Sequence, residues 1–82
     1  MKLFLIEQSK NTDYDTYDSA VVAAPDEETA RQMDPGTGKP VEKWNVNYSS
    51  WCNGPEYVTV RYLGEAADAN KQGVVCASFN AG

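Results

Sequence analysis

The chain has 82 residues, of which 41% are hydrophobic and 23% are charged, and its formal net charge is −5. This length holds a single domain, residues 1–82, and the composition is that of a folded chain and not of a disordered one. No apolar run approaches the roughly 18 residues of a membrane-spanning helix. The sequence also lacks the polybasic segment with which a protein contacts nucleic acid or anionic lipid directly.

The chain contains two cysteines, Cys52 and Cys76, and no histidine. Two cysteines do not make a disulfide framework, and without histidine a zinc ion would lack its usual ligands. The apolar stretch after Met1 is too short for a signal peptide and runs directly into charge. We therefore expect a cytoplasmic protein whose two thiols are reduced.

The first part of the chain predicts two strands followed by a helix. Residues 2–7 carry apolar side chains on both faces, as a central strand does, and residues 9–18 are polar and predict a loop. Residues 19–24 predict a second strand of small side chains. The helix should begin at Pro25-Asp26, because proline suits the first helical position and acids suit the first turn. Residues 34–36, Asp-Pro-Gly, should end it.

The second part predicts two further strands, at residues 57–63 and 73–79, joined by a linker at 64–72. Between the helix and these strands, the alternation of Trp44, Val46 and Tyr48 with polar residues suggests a short irregular strand. The sequence therefore predicts an α+β fold: a small, mostly antiparallel sheet of about four strands in β-β-α-β-β order, with one short helix on one face. Because the other face lacks a helix and the chain is short, we expect a homo-oligomer.

Several segments resemble small proteins encoded by bacteriophages and prophages. They are YDSAVVAA at residues 17–24, the acidic helix start through Ala30-Arg31, GEA at 64–66, and GVV and ASFNAG at 73–75 and 77–82. The resemblance covers about half of the chain and brings no established activity with it. It implies a phage accessory protein in the cytoplasm of a bacterial host, a setting that favours short proteins that bind and block host machinery.

The negative charge is concentrated in residues 13–28, a segment without any lysine or arginine. The three acids at 26–28 are explained by the helix start, whereas those before residue 19 have no evident structural purpose beyond a local turn or cap at Asp18. Tyr14 and Tyr17 lie among them, and tyrosine is enriched at protein interfaces. The loop that holds these two tyrosines and the first three acids thus predicts an adhesive patch for a basic partner, or else an ordinary solvated turn. The acids are Asp13, Asp15, Asp18, Asp26, Glu27 and Glu28.

A calcium loop beginning at Asp13 is not supported. Position 5 of such a loop would be Tyr17 and position 12 would be Ala24, and neither supplies a side-chain carboxylate or amide oxygen. We expect no bound metal.

A second candidate site lies in the aromatic middle of the chain. Trp44, Tyr48 and Trp51, with nearby asparagines and Arg61, could stack against a flat ligand such as a nucleotide signal. The competing interpretation is that the tryptophans belong to the core, since a small domain needs large apolar side chains.

Catalysis is not indicated by any motif. A cysteine nucleophile normally uses a positioned base, which a chain without histidine does not offer, and residues 36–40 lack the spacing of a phosphate-binding loop. We expect neither an enzyme nor a cofactor. The leading hypothesis is a phage inhibitor or modulator of a host protein with a basic surface, acting in defence or nucleic-acid handling. The alternatives are a small-molecule sponge and a structural oligomer.

Overall fold

The computed structural model describes residues 1–12, 15–44, 50–67 and 71–80. Within these residues, four strands form one antiparallel sheet and a short helix follows the second strand. The predicted fold class is therefore confirmed at this level. No helix in the described part of the chain is long and apolar enough to cross a membrane. The elements are β1 (Lys2–Glu7), β2 (Thr16–Ala24), α1 (Glu27–Arg31), a 3-10 turn (Pro55–Tyr57), β3 (Thr59–Glu65) and β4 (Gly73–Asn80).

The strands lie in the order β3-β1-β2-β4, so the arrangement in the sheet differs from the order in the chain. Strands β2 and β3 are both antiparallel to β1 and hence run in the same direction. The segment that joins them, which includes α1, carries the chain past β1. This leaves β1 and β2 in the centre of the sheet and β3 and β4 at its edges.

Alternation along the central strands separates a core face from a second face. Phe4 and Ile6 are buried, whereas Leu3 and Leu5, which alternate with them, are partly exposed on the opposite face. Small side chains of β2 let the helix approach the sheet closely, as the alanine-rich sequence predicts. The core consists of Phe4, Ile6, Ala20, Val22, Ala24, Ala30, Met33, Trp51, Cys52 and Val58.

Helix α1 is fixed at both ends by side chains. The Asp26 carboxylate caps its start by accepting a hydrogen bond from the Thr29 backbone N–H at 2.8 Å, and hydrogen bonds from Thr29 hold the pKa of Asp26 below its ordinary value. Near its end, Arg31 Nη1 donates to the carbonyl oxygens of Pro55 and Val58, which ties the helix to the start of β3.

The segment that contains the second tryptophan is held inside the fold. Trp51 is only 1% exposed, and its carbonyl oxygen accepts a hydrogen bond of 2.9 Å from Asn11 Nδ2. The preceding carbonyl, of Ser50, accepts a bond of 2.8 Å from the Tyr17 N–H. The irregular strand expected around Val46 and Tyr48 lies outside the described residues.

Several predicted boundaries are corrected by the structure. Helix α1 ends at Arg31, before residues 34–36, and β3 begins at Thr59, because Tyr57 belongs to the 3-10 turn. The loop assigned to residues 9–18 is shorter, because β2 already begins at Thr16 and extends through Tyr17 and Asp18. Likewise β3 runs on to Glu65, through Gly64 in the predicted linker. Gly64 has a φ of 145°, which side chains rarely adopt, and it lies beside a register shift between β1 and β3.

The two thiols occupy different environments, which yields a direct prediction. Cys52 is buried in the core, where desolvation raises the pKa of its thiol, whereas Cys76 is exposed on β4. We expect Cys76 to react quickly with a thiol reagent in the native protein and Cys52 to react only on unfolding. Titration before and after denaturation, without reductant, should count about one and then about two thiols. Two fast thiols in the native protein would contradict the core assignment of Cys52.

Candidate functional site

The acids that adjoin one another in the sequence are divided into two groups by the fold. Strand β2 separates Asp18, near its start, from the acids that follow its end. Six residues of extended chain span about 20 Å. The described acids between Asp15 and Glu28 therefore form two groups at opposite ends of the sheet.

The group at the helix start is engaged within α1. Asp26 is the N-cap, Glu27 Oε1 forms an ion pair with Arg31 at 3.4 Å, and Glu28 Oε1 accepts a hydrogen bond from Gln32 at 3.1 Å. Local partners and the helix start thus account for these acids, as the sequence predicted.

The other group is centred on Asp18. This residue is the extra one in a β-bulge, since Tyr17 pairs with Phe79 and Ser19 already pairs with Ser78. Bulges commonly redirect a side chain, and the Asp18 carboxylate is exposed, with the Ser19 hydroxyl donating to it at 3.3 Å. The Asp18 carbonyl accepts a hydrogen bond from the Gln8 N–H at 3.0 Å, which places Asp18 beside the end of β1 and hence near Glu7.

Two clefts meet at Asp18, and we call their combined lining the Asp18 surface. The first cleft has a volume of about 340 Å³ and the second about 320 Å³, and Asp18 lines both. The first is lined by Glu7, Gln8, Ser9, Asp18, Ser19, Tyr57 and Thr59. The second is lined by Asn11, Thr12, Thr16, Asp18, Ser78, Phe79 and Asn80.

Asp15 borders the second cleft, and the structure gives it a conformational role that the sequence did not reveal. Its N–H donates to the Asn80 carbonyl at 2.6 Å. Its φ of 60° lies in the left-handed region, which aspartate tolerates better than most side chains. The expectation that Asp15 has no structural purpose is therefore wrong. Its neighbours Asp13 and Tyr14 lie outside the described residues.

Among the described residues, the exposed tyrosine of this surface is Tyr57 and not Tyr17, which the sequence indicated. Tyr17 is half-buried against the core, with its ring centroid 4.7 Å from that of Phe79. Tyr57, in contrast, is 40% exposed and lines the first cleft, with Lys10 Nζ 5.0 Å from its ring centroid. Tyr17 thus supports the surface from beneath, and Tyr57 presents an aromatic ring next to the acids.

The second candidate set is not brought together. Trp51 is in the core and Trp44 is half-buried against it, while Arg61 pairs with Leu5 on the opposite face of the sheet. Trp51 therefore offers no exposed ring for stacking, and the sheet separates it from Arg61. Tyr48 lies outside the described residues.

Two members of the Asp18 surface, Glu7 and Tyr57, were missed by sequence reasoning. They lie 11 and 39 positions from Asp18, and only the pairing of β1 with both β2 and β3 brings them near it. No local pattern marks either one. In the described residues, no three cysteine, aspartate or glutamate side chains are grouped so as to hold a metal ion.

Comparison with known proteins adds no relative: no family model, curated protein or solved structure matches this chain.

Proposed function

We propose that this chain is a phage accessory protein that binds a host protein and inhibits or modulates it. The Asp18 surface would contact a basic site on that host protein. The host partner would be one that acts in defence or handles nucleic acid, because such proteins carry the basic sites that an acidic surface complements. The resemblance of residues 17–24 and 73–82 to phage and prophage proteins supports the setting, and the cytoplasm of the host is part of the proposal.

The observation that carries the proposal is the position of Asp18 between the two clefts. An exposed carboxylate on a bulge, with Glu7 to one side and Asp15 to the other, concentrates negative charge at one end of the sheet. Unlike Glu27 of α1, Glu7 and Asp15 have no ion pair within 4.0 Å among the described residues. Concentrated like charge costs stability through self-repulsion, and a basic partner would relieve that cost.

The lining of the surface favours a protein partner. Amide and hydroxyl side chains surround the acids, and two aromatic rings, Tyr57 and Phe79, are exposed at 40% and 44%. Exposed aromatics beside polar groups are typical of protein interfaces, where they supply contact area at low entropic cost. The two clefts adjoin at Asp18 and would accept lysine or arginine side chains on either side of its carboxylate.

Capture from a bacterial lysate tests this proposal. Immobilised wild-type chain should retain a basic host protein that the Glu7→Gln/Asp18→Asn variant does not retain, because the variant loses two charges of the Asp18 surface. The matched control is Glu27→Gln/Glu28→Gln, which loses the same charge at the helix. The lysate is treated with nuclease so that nucleic acid does not bridge the proteins, and retained proteins are identified by mass spectrometry.

The control should behave as the wild type does. If all three forms retain the same proteins, or if the helix variant alone loses them, the Asp18 surface is not the binding site. Circular dichroism of each variant checks that the fold is intact.

A further inference from the structure

Strand β4 is an edge strand of unusual composition. Its sequence, GVVCASFN, has no charged residue and no proline, and most of its side chains are exposed, Val75 to 60%. Within the described residues, its outer edge pairs with no other strand. Alternate residues of an edge strand turn their N–H and C=O groups outward, so eight residues offer about four donor–acceptor pairs. Such an edge is a template for a further strand.

The opposite edge of the same sheet carries features that discourage pairing. Strand β3 includes Arg61 and Glu65, both exposed, and its register with β1 shifts near Gly64. Charged side chains and irregular backbone are the usual means by which proteins protect an edge. Strand β4 also has an irregularity, at Val75, but it has no charge to accompany it. The two edges therefore differ chiefly in charge.

The distribution of charge favours a second copy of this chain as the occupant of the β4 edge. Two antiparallel copies of β4 would place Asn80 of each beside Gly73 of the other. The Asp18 carboxylates, which lie near the Asn80 end, would then be about 20 Å apart, and the Asp15 groups farther apart still. The screening length is about 8 Å at physiological salt, so the two acidic groups would repel little. In a parallel pair the same groups would lie only about 14 Å apart, three strand spacings, and would repel more.

We infer that β4 pairs with β4 of a second copy, in antiparallel fashion, to form a two-fold symmetric dimer with one continuous eight-stranded sheet. The interface is self-complementary, as a two-fold axis requires. It joins uncharged strands and satisfies the outward backbone groups of both. Residues 78–80 of β4 also line the second cleft, so the dimer would adjoin the Asp18 surface. The inference rests on the outer backbone edge of β4, and it stands whether or not the Asp18 surface binds a host protein.

Measurement of mass in solution tests the inference. Light scattering at tens of micromolar, in reductant, should give twice the 9.0 kDa chain mass for the wild type. The variant Val75→Glu/Ala77→Glu should give the chain mass, because four added carboxylates would meet across the two-fold axis. The matched control, Arg61→Gln/Leu63→Glu, makes the same change in net charge at exposed positions of β3 and should remain dimeric.

A wild-type mass of one chain overturns the inference, as does a dimer that survives the β4 substitutions but not those in β3. If the β4 variant does not fold, hydrogen exchange of the wild type tests whether β4 pairs with β4 of a second copy. Outward-facing amides of β4 should exchange at least tenfold more slowly in a concentrated sample, where the dimer forms, than in a sample diluted a hundredfold. Equal rates at the two concentrations would also overturn it. Binding of an extended segment from another protein would leave the purified chain monomeric.

Discussion

Replacing Trp51 by alanine should lower the free energy of unfolding by about 3–5 kcal/mol, the usual cost of removing a large buried aromatic side chain. Trp51 is 1% exposed and is the largest fully buried side chain among the described residues. A domain of this size is stable by about 4–12 kcal/mol in total. The loss is therefore a large part of the total stability, and the melting temperature should fall by at least about 12 °C. Thermal and urea denaturation measure both quantities.

Trp44→Ala is the matched control, because it removes the same side chain from a half-buried position at the margin of the core. Its cost should be clearly smaller, since fewer packing contacts are lost and less cavity remains. The comparison separates the two interpretations of the tryptophans. If Trp51→Ala were as stable as the wild type to within about 1 kcal/mol, then Trp51 would not be a core residue and the aromatic ligand site would regain support.

Most elements of the fold could be predicted from the sequence, because the patterns that indicate them are local. The apolar run of β1, the proline and acids before α1, and the alternation in β3 each report on a few consecutive residues. The start of β2 was missed for the same reason. Residues 16–18 are polar, and their extended conformation depends on pairing with β4, far away in the chain.

Less of the candidate site could be predicted from the sequence, because the site is assembled from three segments that are distant in the chain. Asp18 was indicated by its acidic surroundings, but Glu7 and Tyr57 reach the same surface only through sheet pairing that no local pattern encodes. The sequence also misplaced Tyr17, whose polar neighbours suggest a solvated loop, although its ring packs against Phe79 and the core. Tyrosine serves both purposes, and its exposure is decided by tertiary packing.

Reversing the charge of the Asp18 surface should have the largest effect on binding. The variant Glu7→Lys/Asp18→Lys replaces two exposed carboxylates by two ammonium groups, which a basic partner would repel. We expect its dissociation constant for the retained host protein to rise roughly 100-fold, equivalent to about 2.7 kcal/mol. Glu27→Lys/Glu28→Lys changes the net charge equally at the helix and should change the constant far less, since those acids lie at the other end of β2.

The salt dependence of this binding is the sharpest test of whether the Asp18 surface contacts a basic site on the host protein. Titration calorimetry of the wild type, the Asp18-surface variant and the helix variant against the retained host protein would be run from low to high salt. Contact between an acidic and a basic surface weakens as salt screens it, whereas stacking and apolar contact do not. We expect wild-type affinity to fall steadily with salt, and we expect Glu7→Gln/Asp18→Asn both to weaken binding and to flatten this dependence. Wild-type affinity that is independent of salt, or a slope unchanged by the two substitutions, would contradict it.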